Sequence, residues 1–70
     1  MMPLSLAPKE EPATIKKVNG NSEIRKHLEN LGFVPGATVK VMNEMNGNVI
    51  VNIKDARIAI SKEMAMKIMV

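Results

Sequence analysis

The apolar residues of this chain change their spacing near residue 32, from a helical period to a strand period. Upstream of that point, Ile24, Leu28 and Leu31 recur at intervals of four and three residues, which places them on one face of a helix of about three turns. Asn21 or Ser22 can cap the first turn, because each side chain carries an oxygen that accepts from free backbone amides. The spacing therefore predicts one amphipathic helix that buries an apolar stripe.

A tight corner follows the helix in the sequence "LGFVPGA". Gly32 stands where a helix commonly ends in a left-handed residue, and Phe33 would then fold back on Leu28. Pro35 and Gly36 suit the central positions of a turn, since proline presets φ at the first and glycine accepts a positive φ at the second. We expect these residues to form one structural corner.

Beyond the corner, apolar and polar residues alternate as they do in half-buried strands. Val39 and Val41 share one face of the first strand, and Asn46-Gly47 is a strong signal for a two-residue hairpin turn. The return strand "NVIVNIK" has its inward face at Val49, Val51 and Ile53.

The end of the chain predicts a turn, a strand, a helical turn and a closing strand. "KDAR" turns the chain, and "RIAI" directs Ile58 and Ile60 inward. Ser61 can cap a short helical turn through "KEMAMK". The final "KIMV" closes the fold, and an edge left free there would allow a homo-oligomer.

The beginning of the chain predicts an irregular arm followed by a strand. In the extended arm "PLSLAPKEEP", Leu4 and Leu6 lie two residues apart and would both reach the core. "ATIKKV", Ala13 to Val18, is the strand, and "NGN" turns the chain into the helix. The fold class is therefore mainly β: a small, partly open barrel of about five strands with one inserted α-helix and a short C-terminal helical turn.

Length and composition limit the architecture. The chain has 70 residues and no cysteine, so we predict a single domain over residues 1–70 without disulfides or thiolate metal sites. The first residues lack the basic start and the apolar run of a signal peptide, and no apolar run approaches the length of a membrane span. We therefore predict a cytoplasmic protein.

The charge pattern does not favour nucleic acid as a partner. Ten basic and seven acidic residues give a net charge of +3, but the basic residues are spread along the chain as on a solvated surface. Phe33 is the one aromatic residue, which leaves almost nothing on which bases could stack.

Candidate chemistry is sparse. His27 is the one histidine, and no second histidine or suitably spaced carboxylate accompanies it, so we predict neither a metal site nor a cofactor. The serines have no base at a readable spacing and no phosphate-binding loop is present, so we predict no enzymatic activity. Seven methionines suit cuprous ions, but we favour packing or an adaptable interface. Met64 and Met66 cannot point the same way in a helix, which makes one of them an exposed apolar contact.

The order of these motifs resembles the ferrous iron transport protein A (FeoA) family over nearly the whole chain. The distinctive parts are the L-x-x-L-G-F-x-P-G run from Leu28 to Gly36, with alternating valines after it, and the "IAIS" to "IMV" ending from Ile58 to Val70. One segment departs from the family pattern: this chain has "KEEPAT" where the family often carries Pro-Gly before the first strand.

The resemblance implies an SH3-like barrel in the cytoplasm that docks on a membrane ferrous iron transporter with a GTPase domain, of the FeoB type, and assists or regulates it. It would reach the membrane only through that partner. Transition-metal binding is implied for the family as a whole and not for particular residues of this chain. Because this chain lacks metal ligands, we expect it to act through protein contacts. The candidate contacts are Phe33, Val34, Pro35, Met64 and Met66.

Two alternatives remain open. "PGATVKV" also looks like a segment of ribosomal and transcription-factor barrels, which would make this a small barrel associated with nucleic acid. The same fold occurs as the regulatory module of iron-dependent repressors, which look similar over "LGFVPGATVKV", although this chain carries no DNA-binding helix pair.

Overall fold

Two antiparallel sheets form the body of the fold in the computed structural model, which describes residues 1–70. In chain order, the elements are a 3-10 turn at Leu4–Leu6, β1 at Pro12–Thr14, β2 at Lys17–Val18, α1 at Ser22–Asn30, β3 at Thr38–Met45, β4 at Asn48–Ile53, β5 at Ala56–Ser61, α2 at Lys62–Ala65 and β6 at Ile68–Met69. One sheet has the order β1-β3-β4-β5, and the other pairs β2 with β6. The predicted mainly β fold, with one longer helix and a short C-terminal one, is confirmed.

The predicted strand at Ala13–Val18 is two strands, because the chain passes from one sheet to the other at Ile15. The amide of Ile15 donates to the carbonyl of Ala37 at 2.9 Å, and the amide of Lys16 donates to that of Met69 at 2.8 Å. Consecutive residues therefore bond on opposite sides of the barrel, and the number of strands rises from about five to six.

Two-residue turns connect β3 to β4 and β4 to β5. Asn46 and Gly47 form the predicted hairpin turn, and their φ values of 51° and 79° are those of a type I′ turn. Lys54 and Asp55 have φ values of 50° and 63°, so the "KDAR" turn adopts a similar left-handed conformation without a glycine.

Twelve buried apolar residues form one core cluster, to which β3 to β6 and both helices contribute: Leu4, Ile15, Leu28, Phe33, Val39, Val41, Val49, Val51, Ile53, Ile60, Ala65 and Ile68. The predicted inward faces of β3 and β4 are confirmed. Ile58 is half-buried and packs against the cluster. The register between β3 and β4 shifts between Val41 and Asn43, and this bulge ends the buried face of β3.

Both helices begin with side-chain caps of the predicted kind. The Asn21 side-chain oxygen accepts from the amide of Ile24 at 2.9 Å, and the Ser61 hydroxyl accepts from the amide of Met64 at 3.2 Å. Leu28 is the fully buried residue of α1. None of the helices has the length and apolar character needed to cross a bilayer.

Leu4 and Leu6 do not share a face, so the prediction that both reach the core is wrong. They begin and end a 3-10 turn, in which side chains repeat every three residues and not every two. Leu4 is buried, whereas Leu6 is 68% exposed. The arm then turns at Glu10, which has a φ of 62° and donates its amide to the Val41 carbonyl at 2.7 Å. A left-handed residue thus stands in the "KEEPAT" segment before β1.

The closing strand β6, whose edge would allow a homo-oligomer if it were free, has backbone partners on both sides. On one side it pairs with β2. On the other, Pro3 bridges to Met69, and Met2 and Val70 exchange backbone hydrogen bonds of 2.9 and 2.8 Å. The N-terminal residues of the same chain therefore cover the edge at Met69 and Val70.

Candidate docking surface

The end of α1 has the backbone geometry that the sequence predicts. Gly32 has a φ of 103°, and its amide donates to the Glu29 carbonyl at 2.9 Å. The amide of Phe33 donates to the Leu28 carbonyl, also at 2.9 Å. These two bonds are the Schellman ending of a helix, which satisfies carbonyls that the helix itself leaves free.

A second turn follows immediately and fixes the tip of the corner. The amide of Ala37 donates to the Val34 carbonyl at 3.0 Å, and Gly36 has a φ of 92°, as in a type II turn. The amide of Gly36 also donates to the Ile15 carbonyl at 2.8 Å. The corner is therefore tied to the residue at which the chain changes sheets, and the side chains at its tip are held in place from two directions.

Residues of the corner help to line an open groove of about 320 Å³. The groove is lined by Lys16, Lys17, Val18, Arg25, Glu29, Phe33, Val34 and Pro35. Its volume is at the lower end of the roughly 300–1,000 Å³ typical of small-molecule pockets, but charged residues make up much of the lining. This composition differs from that of pockets lined mainly by hydrophobic and aromatic side chains.

The apolar residues predicted to contact a partner differ in their exposure. Phe33 is only 1% exposed, so it forms the floor of the groove and not a projecting knob. Val34 is half-buried and Pro35 is exposed. These two residues provide the accessible apolar surface at the corner.

The two predicted methionine contacts lie elsewhere, at α2. Met66 is 52% exposed, whereas Met64 is half-buried and packs against the core cluster. Neither lines the groove. The fold therefore separates the predicted contact residues into the corner and an isolated exposed methionine.

Five residues of the groove were not predicted from the sequence: Lys16, Lys17, Val18, Arg25 and Glu29. Arg25 and Glu29 lie four apart on α1, a spacing that puts both on the helix face beside the corner. That spacing could have identified Arg25 and Glu29 in the sequence as neighbours of the corner. The residues of β2 reach the groove because the chain changes sheets at Ile15, and no local sequence pattern indicates that change.

The cations of the groove have no acidic partner. The one ion pair in the structure joins Lys62 to Glu44 at 3.9 Å, between groups that do not line it. Lys16, Lys17 and Arg25 are exposed, and Glu29 is the one acidic residue of the lining. Three positive charges against one negative charge leave a formal surplus of two positive charges.

Side chains with metal-binding chemistry are dispersed. No three side chains among the histidine, aspartate and glutamate residues come together in an arrangement that could hold a metal ion. His27 is exposed on α1. Among the residues that line the groove, Glu29 is the one with a side chain of this kind.

A family model for the FeoA domain matches residues 2–70. The chain belongs to the FeoA family. A candidate Fe(2+) transport protein A from Methanocaldococcus jannaschii is 37% identical over 70 residues, which are all of this chain and 85% of that protein. The family assignment made from the "LGFVPG" corner and the closing segment is confirmed.

Solved FeoA structures share the fold. An iron uptake regulatory protein (FeoA) is 30% identical and superposes with a TM-score of 0.87 over 96% of this chain and 89% of its own. Stenotrophomonas maltophilia FeoA, solved in complex with zinc, is 25% identical, with a TM-score of 0.83 over 99% of this chain and 88% of its own. That protein is described as an SH3 domain protein and a candidate activating factor for ferrous iron transport. The predicted SH3-like fold is confirmed.

Proposed function

We propose that this protein is a non-catalytic accessory component of ferrous iron uptake that docks on the cytoplasmic part of a membrane GTP-dependent iron transporter and regulates it. Membership of the FeoA family supports the connection with iron transport. The observation that carries the docking proposal is the corner, where two hydrogen-bonded turns hold Val34 and Pro35 at the rim of a groove. A preorganised apolar contact loses little conformational freedom when a partner binds.

The absence of a coordination cluster supports action through contacts. Ferrous sites are built from several histidine or carboxylate ligands that leave positions open, and no such group of three exists here. In this proposal the transporter handles the iron and the nucleotide, and this protein alters the transporter through its surface.

The test is capture of the purified transporter by the immobilised protein at low and then at high salt. We expect Val34→Ser combined with Pro35→Ala to reduce capture strongly, while the circular dichroism spectrum remains that of the folded protein. Met45→Ser is the matched control, because Met45 is also exposed but lies at the β3–β4 hairpin. Unchanged capture by the corner variant, with folding intact, would contradict the proposal.

A second apolar contact is proposed at α2, through the exposed Met66 and the half-buried Met64. Met66→Ser removes an exposed thioether without touching the groove, so it separates α2 from the corner. We expect a smaller loss of capture than for the corner variant, since one exposed side chain contributes less than the centre of an interface. A loss that exceeds the corner variant's would move the docking surface to α2.

A further inference from the structure

We propose that the groove beside the corner binds an acidic segment of the partner that also carries an apolar side chain. This inference rests on the proposed docking function and adds to it the chemistry of the docked segment. It follows from the two kinds of residue that line the groove, since cations and apolar groups face the same space.

The cations of the groove come from two separate parts of the chain. Lys16 immediately precedes β2, Lys17 is its first residue, and Arg25 lies on α1. None of them has a carboxylate within 4.0 Å. Lys26 lines a shallow depression that shares Arg25 and Glu29 with the groove, so the positive surface continues along the helix. Carboxylates are the groups that complement such a surface.

The apolar part of the lining consists of Val18 and three residues of the corner. Val18 and Val34 are half-buried, Pro35 is exposed, and Phe33 closes the floor. An aliphatic side chain inserted here would be shielded from water while neighbouring carboxylates contact Lys16 or Arg25. A ligand that is only charged would leave the apolar residues of the groove without a partner, and a ligand that is only apolar would leave the cations without one.

Nucleic acid fits this groove poorly for a structural reason. Single-stranded nucleic acid binds through aromatic side chains that stack on bases as well as through cations. Phe33, the one aromatic residue of the chain, is buried in the core cluster. The groove therefore has the charge for a phosphate backbone but no exposed ring for the bases.

The test uses labelled synthetic peptides and the isolated protein. The probe is a peptide of alternating glutamate and leucine, compared with lysine–leucine and glutamate–serine peptides of the same length. We expect the glutamate–leucine peptide to bind most tightly by fluorescence anisotropy. It should also shift the amide resonances of Lys17, Val18, Arg25 and Val34 in a ¹⁵N-labelled sample.

Charge-reversal variants locate the site. Lys16→Glu combined with Arg25→Glu should weaken binding of the glutamate–leucine peptide about tenfold or more, through loss of two attractive contacts and gain of two repulsive ones. Lys9→Glu combined with Arg57→Glu changes the net charge by the same amount at exposed residues outside the groove. This control should retain most of the affinity.

Several results would overturn the inference. Equal binding of the glutamate–serine peptide would remove the apolar requirement, and equal binding of the lysine–leucine peptide would remove the charge requirement. Equal weakening by the two double variants would show a long-range charge effect and no site. Binding of single-stranded oligothymidine tighter than that of the peptide, and lost in the groove variant, would make the groove a nucleic-acid site.

Failure of this inference is distinguishable from failure of the docking proposal. If the Lys16→Glu/Arg25→Glu protein captures the transporter normally while the Val34→Ser/Pro35→Ala protein does not, docking stands and the acidic segment is wrong. If the native protein fails to capture the transporter but the peptide binds in the groove, the groove chemistry stands and its assignment to the transporter is wrong.

Discussion

The backbone amide of Phe33 donates to the carbonyl of Leu28 at 2.9 Å, and both side chains belong to the same buried cluster. The helix ending and the core are thus one structure, because the bond that terminates α1 also directs Phe33 inward. The next residues, Val34 and Pro35, are consequently held at the surface. A local backbone motif therefore determines which apolar residues of the corner remain accessible to a partner.

Truncation of Phe33 should be among the most damaging single changes. We expect Phe33→Ala to lower the free energy of unfolding by about 3–5 kcal/mol, because a buried aromatic ring leaves a cavity. Phe33→Leu, which conserves more volume, should cost roughly 1 kcal/mol. Urea denaturation followed by circular dichroism measures both. A loss for Phe33→Ala no larger than that for Phe33→Leu would show that the ring does not support the core.

Replacement of Gly32 should destabilise the fold through the backbone. Its φ is 103°, and an added Cβ would meet the Lys54 Cδ at an ordinary 3.7 Å, so no clash is involved. We expect Gly32→Ala to lower the free energy of unfolding by about 1–2 kcal/mol, the cost of a left-handed conformation for an L-residue. The control is a chemically synthesised protein with D-alanine at this position. Its unfolding midpoint should lie at a urea concentration at least as high as that of the glycine protein.

A substitution in the turn between β4 and β5 should raise the stability of the protein. Asp55 has a φ of 63°, and glycine accepts that conformation without a Cβ penalty. We expect Asp55→Gly to raise the free energy of unfolding by about 1 kcal/mol. The reciprocal change Gly47→Asp, at the equivalent position of the other hairpin, should lower it by a similar amount. Opposite shifts of the melting temperature would support the prediction, and a loss in both variants would contradict it.

The cap of α1 distinguishes two adjacent residues. The Asn21 side chain accepts from the amide of Ile24 at 2.9 Å, whereas Ser22 is the first residue of the helix. We expect Asn21→Ala to cost about 1 kcal/mol in the free energy of unfolding. Ser22→Ala should change it by less than about 0.5 kcal/mol. Thermal unfolding of the two variants in parallel measures this difference. A larger loss of stability for Ser22→Ala than for Asn21→Ala would show that Asn21 is not the capping residue.

The local features of this protein are readable from the sequence because they depend on residues a few positions apart. The Asn21 cap, the left-handed Gly32, the Val34–Ala37 turn and the Asn46-Gly47 hairpin each require specific residues for one short set of backbone angles and hydrogen bonds. The alternating valines likewise predict the buried face of β4, since successive side chains of a strand point to opposite sides. Together these signals were sufficient for the family and for the corner residues of the candidate site.

The tertiary structure decided what depends on distant partners. Ile15 bonds to Ala37 while Lys16 bonds to Met69, and no local pattern shows that adjacent residues of one extended segment serve two sheets. Lys16 and Lys17, which follow this change of sheet, line the same groove as Arg25. The pairing of β6 along both sides has the same origin. Strand partners are chosen by hydrogen bonds and packing across the whole chain, so the groove exists only in the folded protein.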